Sequence, residues 1–267
     1  MCELFAMSSK LPTTVTLSLK TFAEHGGGSG PHADGWGIAY YHDNYARLIK
    51  DQGAAHDSDW VEFVESRRLK STTIIAHIRN ATRGGVALEN THPFARELGG
   101  HMHVFAHNGT LMGVHDDPHF ALGHYRPIGA TDSEHAFCSL LDRLQPLWLA
   151  GDGPPLFAAR FEVFARFAEK ARELGAANFV YSDGEHLFVQ ANIRFQENGR
   201  TEPPGLHILT RQCQGPSETV EGGGVAVTSD SQVVILLASV PLTEEDWVPL
   251  PEYTTLALRH GEVVARA

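Results

Sequence analysis

Cations are the scarce charge in this chain: 21 Lys and Arg stand against 32 Asp and Glu, a formal net charge of −11 over 267 residues. Phosphate backbones and anionic lipid headgroups are held by clustered Lys and Arg, so neither nucleic acid nor a membrane surface is expected as a partner. Cysteine is nearly absent. The three present, Cys2, Cys138 and Cys213, form no CxxC pair and cannot all be joined in disulfides, which points to a reducing compartment. No apolar run approaches the length of a membrane span; the longest notable one, Val233 to Val240, suits a buried strand. The N-terminus has no basic segment followed by an apolar stretch, so it does not read as a signal peptide, and a cytoplasmic location is expected. Histidine is plentiful, yet there is no HExxH and no Cys/His spacing of the zinc type, even though His101 and His103 alternate along a predicted strand. No metal and no cofactor are expected.

What is present is the composition of a soluble globular enzyme, 42% hydrophobic and 20% charged, with length enough for one large core. Residues 1–267 show no internal repeat and no firm boundary, so a single domain is expected. Hairpin signals dominate. Trp36–Tyr41 and Ala46–Lys50 flank Asp43-Asn44, Asn178–Ser182 and His186–Ala191 flank Asp183-Gly184, and Thr255–Leu258 and Val263–Ala265 flank His260-Gly261. Thr73–Ile78 and His103–His107 are strand-like runs that end in polar residues. Helical periodicity is rarer. Ala136, Phe137, Leu140, Leu141 and Leu144 share a face behind a Thr131–Glu134 capping box, and Phe157, Phe161, Phe164, Ala168 and Ala171 share another, stopped by Gly175. Segments 13–24 and 59–69 are weaker helix candidates, and 197–204 reads as a surface loop. Antiparallel hairpins with two helices adjacent in sequence predict an α+β fold, with helices packed on antiparallel sheets.

The chemistry begins at Met1-Cys2. Methionine aminopeptidase removes Met1 when a small residue follows, which would leave Cys2 with a thiol and a free α-amine on one residue. An α-amine titrating near 7.7–8.0 is partly unprotonated at neutral pH. The nucleophile would then carry its own general base. Cys2 equally suits a small buried residue beside Leu4 and Phe5.

Three further segments carry polar residues where strands or helices end. Arg79, closing Ala76-His77-Ile78-Arg79, suits a bidentate grip on a carboxylate, or a structural ion pair. Asn108 and Gly109, closing another strand, could aim an amide and a backbone N–H at a developing oxyanion, or form a plain turn. Asp132, opening a helix, could hold an ammonium group or simply complement the helix dipole. Together with an N-terminal Cys they supply what attack on a γ-glutamyl carbonyl requires. The glycine-rich Gly26-Gly27-Gly28-Ser29-Gly30-Pro31 matches neither a Walker loop nor a nucleophile elbow, and a mobile loop beside a site is the expectation.

In these stretches the chain resembles the class II glutamine amidotransferases, which are N-terminal-nucleophile (Ntn) hydrolases, and most of all their stand-alone YafJ-type branch. The matching residues are Met1-Cys2-Glu3-Leu4, Gly26 to His32 with Asp34-Gly35-Trp36-Gly37-Ile38, Ala76 to Arg79, Val86 to Phe94, His107-Asn108-Gly109, and Thr131 to Glu134. The second half matches more weakly, through Ser182-Asp183-Gly184 and the strand before Pro241-Leu242-Thr243. The resemblance implies a four-layer αββα sandwich with two stacked antiparallel sheets. It also implies Cys2 as nucleophile, Asn108 and Gly109 as oxyanion hole, Arg79 on the substrate α-carboxylate and Asp132 on its α-ammonium. Thr82 and the Asp34–Gly37 turn, with Gly35 and Trp36, would line the pocket. His25 stands where many relatives carry Arg. The expected reaction is thioester hydrolysis of glutamine to glutamate and ammonia. A separate ammonia-accepting synthetase would be a partner, since 267 residues leave no room for one here. A free-standing γ-glutamyl peptide or amide hydrolase and a catalytically silent glutamine-binding module are the alternatives.

Overall fold

Apolar runs bounded by turn residues recur along this sequence, and the described residues form more strand than helix. The computed structural model describes residues 2–17, 34–55, 58–79, 85–196, 198–213, 219–222, 225–228 and 231–267. The strands are β1 (Glu3–Leu17), β2 (Trp36–His42), β3 (Tyr45–Asp51), β4 (Lys70–Ile78), β5 (Phe94–Leu98), β6 (His101–Leu111), β7 (Gly175–Ser182), β8 (Leu187–Ala191) and β9 (Arg194–Phe195). They continue with β10 (Thr201–Glu202), β11 (His207–Cys213), β12 (Thr219–Gly222), β13 (Val225–Thr228), β14 (Gln232–Ala238), β15 (Val248–Pro249), β16 (Thr254–Arg259) and β17 (Glu262–Arg266). Among the described residues the α-helices are α1 (Asp59–Arg67), α2 (Asp132–Trp148) and α3 (Phe157–Glu173).

Two large antiparallel sheets result, beside a two-stranded pair of β9 and β10. The first runs β15-β11-β14-β1-β4-β2-β3, with β13 also paired to β1 and β12 to β13; the second runs β17-β16-β8-β7-β6-β5. Their inner faces meet in a core of Leu4, Ala6, Ala39, Tyr41 and Ile75 against Val104, Ala106, Val180 and Val189. On the outer face of the first sheet, Phe5, Met7, Trp36, Ile38 and Ile78 pack with Val61 and Val64 of α1. On the outer face of the second, Phe105, Phe179, Tyr181 and Phe188 meet Phe137, Leu140 and Leu144 of α2 and Phe164 and Phe167 of α3. Each fully buried aliphatic or aromatic side chain contributes about 1.5–3 kcal/mol. Apolar residues on both faces of β1 and β4 explain why these strands lie centrally. The layers are helix, sheet, sheet, helix, the αββα sandwich that the resemblance implies.

All three expected hairpins form, pairing β2 with β3, β7 with β8, and β16 with β17. Segment 59–69 is helical through Arg67. Segment 13–24 is not a helix where it is described. Thr13 and Thr14 pair with β4, and Thr14 to Leu17 pair with β13, since the run Thr13-Thr14-Val15-Thr16 is β-branched and has strand partners on both sides. The capping box is only half made. Thr131 accepts the Glu134 N–H at 3.1 Å, but the Glu134 carboxylate turns to Arg96 and to the Gly129 N–H instead. Within 197–204, Thr201–Glu202 pairs with Arg194–Phe195.

Candidate active site

Strand register brings the sequence candidates to one end of the sandwich. Ile78 pairs with both Glu3 and Trp36, so Cys2, Arg79 and Gly35 fall in the next row of the first sheet. Arg79 N–H donates to the Gly35 carbonyl at 2.8 Å. Gly35 has φ +112°, and a Cβ there would lie 2.7 Å from Thr91 Oγ1, so the turn that seats Arg79 requires glycine. In the facing sheet β6 delivers Asn108 and Gly109, paired with Asn178 and Ala177 of β7. Alternation points Asn108 inward with Ala106, and His107 outward with Phe105.

Cys2 is half-buried, and its carbonyl accepts a hydrogen bond from Asn108 Nδ2 at 2.8 Å. The other Nδ2 hydrogen goes to Ser239 Oγ, also at 2.8 Å. Asn108 therefore ties the second sheet to the main chain of Cys2, and its amide must exchange one of these bonds to serve an oxyanion. Gly109 permits a close approach of two strands: a Cβ would sit 1.8 Å from the Ala176 carbonyl oxygen, at φ +157°. Cys2, Asn108 and Gly109 line a cavity of 320 Å³ with Thr110, Met112, Ala176, Arg194 and Phe195.

Beneath Asn108, His107 bridges to helix α2. Its Nε2 meets the Ala176 carbonyl at 3.0 Å and its Nδ1 meets Ser133 Oγ at 2.8 Å. A carbonyl only accepts, so Nε2 carries the proton and Nδ1 accepts from the serine. Burial, the largest influence, holds His107 below its ordinary pKa, in keeping with that neutral ring. Asp132, half-buried at the start of α2, accepts the Leu111 N–H at 2.7 Å and the Ser133 N–H at 2.9 Å. A carboxylate has about four acceptor positions, which leaves capacity for an ammonium group. Arg79 is buried and donates to the Gly85 carbonyl at 3.1 Å.

Arg79 and Asp132 do not line the 320 Å³ cavity. Nor does Trp36, whose fully buried indole packs in the outer core of the first sheet, the alternation of β2 turning it away from Cys2. Thr82, His25 and the glycine-rich stretch lie outside the described residues.

Four buried polar residues behind the nucleophile gave no sequence signal strong enough to single them out. Ser239 Oγ accepts from Leu4 N–H at 3.1 Å as well as from Asn108. Asn178 Nδ2 donates to the Asn108 and Ile193 carbonyls at 3.1 and 2.7 Å. Arg194 donates to the Ser239 carbonyl, and its other terminal nitrogen lies 3.6 Å from Glu3 Oε1. Burial pushes the Glu3 carboxyl up to about 8, and Arg194 offsets only part of that. At neutral pH the contact is thus mainly a neutral acid beside a guanidinium, despite its ion-pair distance. The only sequence cue was an acid at position 3 within an otherwise apolar strand start.

The description "glutamine amidotransferases class-II" fits a family model matched by residues 1–267. The YafJ protein of Escherichia coli (strain K12) is 39% identical over 248 residues, covering 92% of this chain and 93% of its own. A 2.0 Å crystal structure of a predicted glutamine amidotransferase from Pseudomonas aeruginosa PA01 superposes with a TM-score of 0.73 at 36% identity, over 99% of this chain and 100% of that one. The glutamine phosphoribosylpyrophosphate amidotransferase of B. subtilis shares the fold at 14% identity, with a TM-score of 0.60 over 100% of this chain and 49% of its own. The fold is thus the αββα sandwich that these amidotransferases share. The chain belongs to the class II glutamine amidotransferases.

Proposed function

We propose that the protein cleaves the γ-amide of glutamine through a thioester on Cys2, releasing ammonia and glutamate. The observation that carries this is the meeting of Cys2, Asn108 and Gly109 in one cavity, with the Asn108 amide 2.8 Å from the Cys2 main chain. Once Met1 is removed, the Cys2 α-amine takes the thiol proton as the sulfur attacks the γ-carbonyl carbon. The C=O electrons move to oxygen, where Asn108 Nδ2 and Gly109 N–H donate, each worth about 3–4 kcal/mol in such a hole. The ammonium passes its proton to the departing nitrogen, and ammonia leaves. Water, giving its proton to the same amine, attacks the thioester; glutamate departs and the thiol is restored. Arg79 would hold the α-carboxylate and Asp132 the α-ammonium, with Gly35 seating Arg79 and Thr82 at that end of the pocket; Trp36, turned to the outer core, takes no part. The ammonia acceptor would be a synthetase on a separate chain.

One observation favours a second reading, hydrolysis of larger γ-glutamyl amides or peptides. The cavity beyond Cys2 runs past Met112 and Phe195, both more than half exposed, and is roomier than ammonia needs. The test is product release from glutamine and from γ-glutamyl peptides, with the intact mass of the protein recorded. Glutamate should appear with Cys2→Ala inactive and folded. An active Cys2→Ala protein, or an active protein that retains Met1, would sink the proposal.

A further inference from the structure

The site has two visible walls, the strand start that carries Cys2 and the later part of β6 that carries Asn108, and they belong to different sheets. Ser239 joins them. It is fully buried just past β14 and uses every backbone and side-chain group on this junction. Its N–H donates to the Leu4 carbonyl at 3.0 Å and its Oγ accepts from Leu4 N–H at 3.1 Å, so both main-chain groups of Leu4 are held by one residue. The same Oγ accepts from Asn108 Nδ2 at 2.8 Å. Its carbonyl accepts from Arg194, which also contacts Glu3 and lines the Cys2 cavity. Asn178 in turn fixes the Asn108 carbonyl and the Ile193 carbonyl just before Arg194.

We infer that Ser239 is a positioning residue for the amide hydrolysis, with Arg194 as its brace: the serine hydroxyl sets the angle of the Asn108 amide relative to the thiol of Cys2. This rests on the assignment of Cys2 as nucleophile. The physical reason is rotational. The terminal torsion of an Asn side chain is broad, so one hydrogen bond to Cys2 O leaves the amide plane loosely defined. A second acceptor on the same nitrogen, Ser239 Oγ, fixes it and holds it when the oxyanion takes the hydrogen that Cys2 O accepts. Misplacing a reacting or stabilising group by about 1 Å costs on the order of 100-fold in rate. Ser239 touches no substrate atom; its influence runs through Asn108 and the start of β1.

The experiment uses the full chain with Ser239→Ala, Asn108→Ala and the double variant. Glutamate release and the exchange of the Leu4 amide are both measured. Ser239→Ala should lower kcat by about 10- to 100-fold with KM changed less than about threefold, since the lost orientation acts on the transition state. In the Asn108→Ala background the same change should cost less than about threefold, because the group it orients is gone. Leu4 amide exchange should rise about tenfold or more as its acceptor disappears. An unchanged kcat in Ser239→Ala, or an equal cost in both backgrounds, overturns the inference even if Leu4 exchange rises. Should Ser239→Ala fail to fold, Arg194→Gln leaves the Leu4–Ser239 pair intact and should lower kcat by about 3- to 10-fold; unchanged kcat there also overturns it. A wild-type protein that cleaves no γ-glutamyl compound sinks the functional proposal instead, and Leu4 exchange still reports whether the serine holds the strand.

Discussion

Replacing Glu3 by Gln should change how stability responds to pH, and the structure says in which direction. Glu3 is 1% exposed, and burial raises its carboxyl from an ordinary 4.5 to about 8 against the partial pull of Arg194. Between those values the folded protein holds a proton that the unfolded chain has released. Stability from this group is therefore complete below about pH 4.5 and is lost as pH rises through about 8. At about 1.4 kcal/mol per pH unit, the whole window amounts to at most about 4–5 kcal/mol. Gln keeps the shape of the neutral acid without the ionisation. The variant should match the wild type within about 1 kcal/mol at pH 5 and exceed it by about 3–5 kcal/mol near pH 8.5. Burial also holds His77, His92 and His103 below their ordinary pKa, so their contribution grows as pH rises toward 6.5. Both proteins share that trend, and subtraction removes it. Urea unfolding followed by tryptophan fluorescence from pH 5 to 9 gives the difference curve. A flat difference would refute the assignment of Glu3 as a buried neutral acid.

Three further outcomes follow from named contacts. Gly109→Ala drives a Cβ to 1.8 Å from a β7 carbonyl at a φ that L-residues avoid, so stability should fall by about 3 kcal/mol or more and activity with it; wild-type-like chemical denaturation would contradict this. Arg160→Met removes the partner of buried Asp183, bonded at 2.7 Å, and should cost about 3–5 kcal/mol in unfolding free energy. Adding Asp183→Asn should recover part of that loss, because the unpaired charge is then gone. Thr131→Ala deletes the cap on the Glu134 N–H and should cost about 1 kcal/mol, read as a lowered urea midpoint.

The hairpins and the two long helices were legible because their signals are local. Asp183-Gly184 and His260-Gly261 sit between strand-like runs, and the apolar stripe from Ala136 to Leu144 has one helical period. The segment from Thr13 was misjudged because its strand depends on partners at positions 70–71 and 225–228, which no local window contains. Of the site, Cys2 was named from its place after Met1; Arg79, Asn108, Gly109 and Asp132 were named from the residues closing strand-like runs or opening a helix, and Gly35 came with the resemblance. Trp36 came the same way, and here strand alternation alone buries its indole on the far face. The half-made capping box has a similar cause: Glu134 is drawn to Arg96, a residue 38 positions away.

Covalent order decided the hairpins, the two long helices and the chemistry on offer: a thiol at the second position, an amide and a glycine following a strand-like run, a carboxylate opening a helix. Those are properties of residue types and their immediate neighbours. Tertiary structure alone decided that Ser239, 131 positions from Asn108 and 235 from Leu4, bonds both, and that Arg194 braces them beside Glu3. Such contacts arise where strands from two sheets end in the same place, and a buried polar group accepts whichever partner that packing leaves within hydrogen-bond reach.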